Sequence, residues 1–85
     1  MKIALCLLTR NELPCVKIIY PTIASLNSND YDSLYVIDGG SKDGTVEYFK
    51  QQGVNVISQT NRGRGNAFLL AFEQIEADAY VFFSP

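Results

Sequence analysis

Asp38 closes the apolar run 34–37 and is followed at once by Gly39 and Gly40. An ionised carboxylate in that place is a strong acceptor for a ligand's N–H or O–H donors. The two glycines remove side-chain bulk and add backbone freedom, so a ligand can approach the main chain closely. Asp also commonly accepts bonds from backbone N–H groups in a turn. A simple cap needs no Gly-Gly beside it, which favours the ligand role. Ser41 and Asp43 read as turn formers and as caps for a helix that begins near Thr45.

Two more polar clusters accompany this one. Thr9, Arg10, Asn11 and Glu12 follow the apolar run 3–8. Glu12 suits either a ligand's hydroxyl groups or the positive end of a helix dipole, and both uses stay open. Arg62 and Arg64 flank Gly63 where a helix should start, a setting in which guanidinium forks can meet a diphosphate. The plainer reading is a solvated turn with two surface arginines.

The elements that would position these clusters follow from periodicity. Short apolar runs alternate with helical patterns: strand 2–8, helix 12–27, strand 33–38, helix 44–52, strand 54–58, helix 65–77 and strand 79–83. This βαβαβαβ order predicts an α/β fold with a mostly parallel sheet of about four strands, right-handed crossovers and helices on both faces. Ligands of such sheets bind outside the carboxyl ends of the strands, where all three polar clusters fall. Asn11 is the expected N-cap of the first helix, with Pro14 in its first turn. Pro21 should kink or end that helix near Tyr20, leaving the stretch to Asn29 irregular or resumed as a short helix. Gly53 fits the left-handed position after the second helix. The third helix shows a core stripe at Phe68, Ala71, Phe72 and Ile75.

Composition bounds the possibilities. The 85 residues suffice for one small domain of modest stability. With 47% hydrophobic and 19% charged residues, the chain is neither disordered nor collagen-like. A net charge of −2 with mixed signs shows no nucleic-acid footprint and no polybasic membrane anchor. The six-residue apolar start is too short for a signal peptide or a membrane span, so the chain reads as cytoplasmic with no membrane segment. Cys6 and Cys15 match no metal or redox spacing and are expected to be buried or partly buried free thiols. There is no His, which removes the commonest metal ligand and the usual base of a Ser or Cys nucleophile.

Three segments, taken together, resemble the nucleotide-binding half of a family 2 glycosyltransferase with a GT-A fold, including relatives of the dolichol-phosphate mannosyltransferases. They are Leu7-Leu8-Thr9-Arg10-Asn11-Glu12, Val36 to Thr45 with its Asp-Gly-Gly-Ser-Lys-Asp-Gly-Thr, and Asn61-Arg62-Gly63-Arg64-Gly65-Asn66-Ala67. The resemblance spans nearly all of the chain and implies a Rossmann-like GT-A half with strand order 3-2-1-4. It implies one domain, residues 1–85, binding a nucleotide-diphosphate sugar through Thr9, Asn11, Glu12, Asp38, Gly40, Arg62, Gly63 and Arg64. Asp38 would accept from a base N–H, and Arg64 stands at the family's basic position between glycines. Gly39 departs from the family's pattern, which has a second Asp there.

For the whole enzyme the resemblance implies transfer of a sugar to an acceptor that is a sugar, a lipid phosphate or a protein. A divalent metal, Mg or Mn, would be bound by acids beyond Pro85. On this reading no catalytic or metal-binding residue lies in the chain, which is expected to be truncated and inactive alone. Membrane association through a missing C-terminal region is compatible with it. The alternative is a noncatalytic nucleotide-binding or interaction domain. A dinucleotide-binding Rossmann domain is disfavoured: the segment Gly63-Arg64-Gly65-Asn66-Ala67-Phe68 follows the third strand and has Phe in the third glycine's place. Sugar-phosphate nucleotidyltransferases resemble a Gly-rich loop after the first strand, where this chain has Thr-Arg-Asn-Glu. The acid pair of a response-regulator receiver is missing too.

Overall fold

The computed structural model describes residues 1–25, 31–59 and 63–83, the side chains of Ala24 and Arg64 excepted. The elements are β1 (Ile3–Thr9), α1 (Leu13–Ala24), β2 (Ser33–Asp38), α2 (Thr45–Gln51), β3 (Asn55–Ser58), α3 (Arg64–Gln74) and β4 (Ala79–Phe83). All strand pairs are parallel and the sheet order is β3-β2-β1-β4.

β1 is central, and its uninterrupted apolar run is what a strand covered on both faces requires. Ala4, Cys6 and Leu8 pack with Ile37 against Ala67, Ala71 and Ile75 at α3. Leu7 points to the other face and packs with Val36, Val16 of α1 and Phe49 of α2. Phe49 is fully buried, so truncating it to Ala should cost about 3–5 kcal/mol. The amino end of β1 is clasped from both sides: Asp32 Oδ2 accepts from the Ile3 N–H (2.6 Å), and Asp78 Oδ2 accepts from the Lys2 N–H (2.7 Å).

Three local expectations need correction. α1 continues through Pro21 to Ala24 instead of ending near Tyr20. The missing N–H falls in the last turn, where Ser25 N–H closes the helix onto the carbonyls of Pro21 (3.1 Å) and Thr22 (3.2 Å). The expected continuation to residue 27 and the stretch to Asn29 lie largely outside the described residues. The buried line on α3 is Ala67, Ala71 and Ile75, not one containing Phe72, which is 54% exposed. One residue on from Ala71 the helix has turned by about 100°, which carries the Phe72 ring toward Tyr80 (4.9 Å) and Phe82 (6.1 Å). Cys6 is buried as expected, but Cys15 is exposed. On α1 it is the neighbouring Val16 that enters the core. Gly53 has φ 78°, as its place after α2 requires.

Candidate functional site

Register brings the strand ends together, since Thr9 pairs with Asp38 and Asp38 with Ser58. Asp38 is therefore in the middle of the carboxyl edge, and it is 1% exposed. Thr9 Oγ1–H donates to Asp38 Oδ1 at 2.8 Å, and Ser41 Oγ–H donates to the same oxygen at 2.5 Å. The N–H groups of Gly40 (3.0 Å) and Ser41 (2.7 Å) donate to Oδ2. A carboxylate offers about four acceptor positions. The chain supplies a donor for each, so the turn-forming use of Asp38 is realised. A ligand N–H could join the carboxylate only by displacing one of these donors.

The β1–α1 and β2–α2 loops are laced to each other. Asn11, at φ 51°, donates its N–H to Ser41 Oγ (2.8 Å), and its Oδ1 accepts from the Lys42 N–H (2.7 Å). Asn11 is thus not the N-cap expected from sequence. Glu12 holds that position without a side-chain capping bond. The left-handed backbone at Asn11, which Asn tolerates better than most residues, accompanies side-chain bonding to the other loop. Capping of α1 comes instead from across the crevice: Asp43 Oδ2 accepts from the Leu13 N–H (3.0 Å). Asp43 Oδ1 accepts from the Thr45 N–H (3.1 Å) and from Thr45 Oγ1. One carboxylate therefore serves the first turns of two helices, which extends the capping role read from the sequence. The Thr45 hydroxyl, then the Leu13 N–H, hold the Asp43 carboxyl below its ordinary value.

The third loop joins through main chain and through Gln59. The Gly39 N–H donates to the Thr9 carbonyl and the Gln59 N–H to the Asp38 carbonyl, both at 2.8 Å. Gly63, at φ 108°, is the N-cap of α3, and its carbonyl accepts from Ala67 N–H (3.1 Å) and Gln59 Nε2 (3.1 Å). Of the residues expected to form a site, Thr9, Asn11, Asp38 and Gly40 are one hydrogen-bonded unit. Glu12 is half-buried beside it at the start of α1. Gly63 is linked through Gln59, and Arg64 opens α3. Arg62 lies outside the described residues. Gln59 had no assigned role in the sequence reading; its placement directly after β3, next to the strand that ends in Asp38-Gly39, is the signal that could have found it.

Among the described residues no group of three or more His, Cys, Asp or Glu side chains could hold a metal ion. Burial pushes the Cys6 thiol up to about 11, so it is no nucleophile near neutrality. No helix among the described residues is long and apolar enough to cross a membrane.

A family model, glycosyl transferase family 2, matches residues 5–84. The chain belongs to glycosyl transferase family 2. This family 2 chain is 35% identical over 80 residues to glycosyltransferase AglJ of Haloferax volcanii, covering 92% of the chain and 25% of AglJ. Its fold matches glucosyl-3-phosphoglycerate synthase from Mycobacterium tuberculosis in complex with Mn2+, UDP and glucosyl-3-phosphoglycerate. That match has a TM-score of 0.84 at 25% identity and covers 98% of the chain and 33% of the synthase. The synthase in complex with Mg2+ and UDP matches equally well, with a TM-score of 0.84 and 25% identity over 98% of the chain and 32% of the synthase. The family 2 chain therefore spans about a quarter to a third of the length of these relatives, and its parallel β3-β2-β1-β4 sheet is Rossmann-like in the manner of the GT-A fold.

Proposed function

We propose that this family 2 chain forms the donor-nucleotide part of a glycosyltransferase that moves a sugar from a nucleotide-diphosphate sugar, with UDP as the nucleotide, to an acceptor. The observation that carries the reading is the lacing of three strand-end loops into one hydrogen-bonded edge around Asp38, where sheets of this kind receive nucleotides. Thr9, Asn11 and Glu12, with Gly40, form the base and ribose side. Arg62, Gly63 and Arg64 meet the diphosphate, where the N–H groups of the first turn of α3 and guanidinium charge act together. Asp38 serves this site either as direct acceptor of a base N–H or as the anchor of the Gly39–Ser41 loop. Its four internal bonds favour the anchor.

A divalent metal, Mg2+ or Mn2+, would supply charge stabilisation to the departing diphosphate. The described residues do not fit its ligand set. The acceptor is a sugar, a lipid phosphate or a protein. Two free cysteines suit a reducing compartment, and we place the protein in the cytoplasm.

Calorimetric titration of the natural protein with UDP, UMP and uridine, with and without Mn2+, tests the reading. Saturable UDP binding, tighter than UMP, is expected. UDP binding that is absent, or no tighter than that of UMP, would sink it.

A further inference from the structure

Gly39 leaves room for the end of the Gln59 side chain. Its φ is not among the positive values found at Gly40, Gly44, Gly53 and Gly63, so backbone freedom does not require it. A Cβ added there would lie 3.3 Å from Gln59 Oε1, 3.6 Å from the Thr9 carbonyl oxygen and 3.7 Å from Arg10 Cβ. The Gln59 amide takes up that space, and its Nε2 donates to the Gly63 carbonyl that also begins the α3 ladder. One side chain thus bridges the end of β2 and the first turn of α3.

We infer that Gln59 is a positioning residue of the donor site: seated against the Gly39 backbone, its amide fixes the first turn of α3 relative to β2. The inference rests on the donor-nucleotide reading, because the fixed turn is the one assigned to the diphosphate. Position 39 then controls α3 at a distance. Alanine there forces Oε1 to give way by a few tenths of an ångström. Aspartate sets a carboxylate against Oε1, two acceptors that repel. Gln59 relieves this by turning its NH2 group to the new carboxylate, which releases the Gly63 carbonyl.

The test compares the natural protein with its Gln59→Ala, Gly39→Ala, Gly39→Asp and Gly39→Asp/Gln59→Ala variants. Amide exchange at Ala67 without nucleotide reads the tie itself, and calorimetry with UDP and with uridine reads its use. Gln59→Ala is expected to speed Ala67 exchange and to weaken UDP binding roughly three- to tenfold, with uridine affinity unchanged. Gly39→Ala should shift both readouts in the same direction by less. Gly39→Asp and Gln59→Ala should not multiply in the double variant, since both break one contact. Unchanged Ala67 exchange in Gln59→Ala would overturn the inference. Equal losses for UDP and uridine would also overturn it, because a general structural role moves both. If wild type binds no UDP, the donor reading falls, while the exchange result still decides whether Gln59 holds α3.

Discussion

Asp38 and Asp43 are both turn aspartates, yet their surroundings predict different behaviour. Asp38 is buried and accepts four bonds, two from backbone N–H groups. Replacing it with Ala strands those donors and should cost roughly 2–4 kcal/mol in a denaturant titration. Asn has the same shape. It can keep an oxygen for the Gly40 and Ser41 N–H groups and turn its NH2 group toward the two hydroxyl oxygens, so Asp38→Asn should cost less than half as much. An Asn variant as unstable as the Ala variant would show that the charge itself is needed. Asp43 is exposed, and its folded value is depressed. A depressed carboxyl adds stability above its unfolded value, near pH 4, and loses it as pH falls through the folded value. Asp43→Asn should therefore flatten the acid limb of stability below about pH 4. Urea midpoints followed across that range should show the wild type falling more steeply than the variant. Equal slopes would contradict the assignment.

At the level of elements, Pro21 offers a direct test of α1. Its exposed position and missing N–H leave Pro21→Ala free to add a helical bond, against a smaller gain in unfolded-state entropy. A stabilisation of roughly 1 kcal/mol by urea unfolding is expected; a loss would mean that the ring is needed where it lies. The order and type of all seven elements were legible because apolar runs of strand length alternate with helical spacing. The inward face of α3 was not. Phe68 and Phe72 satisfy the same spacing rule as Ala67 and Ala71, and only the closeness of β1 selects the small residues. Strand ends with glycine and acid marked the site, but the partners Asn11–Lys42 and Leu13–Asp43 are separated by 31 and 30 residues. No periodicity reports such a bond, since it exists only once β1 and β2 are paired. Gln59 escaped for the same reason.

For the molecule as a whole, exposed apolar side chains gather at the β4 edge of the sheet. Val81 and Phe83 of β4 are 49% and 45% exposed, with Phe72 and Leu69 of α3 also open. An outer strand with apolar side chains and free backbone groups favours pairing with another chain, and a net charge of −2 opposes it weakly. The 85-residue polypeptide should therefore associate as its concentration rises, and Val81→Lys/Phe83→Lys should shift it toward monomer, as read by light scattering on a sizing column. A concentration-independent monomer would show that the edge is protected. The lacing of residues 9–13 to 38–45 has a bearing on engineering. Neither loop carries a complete set of bonding partners, so exchanging a single loop between relatives should break the bonds that cross from one to the other. The two segments form one cassette, and a chimaera that takes only one of them inherits mismatched halves.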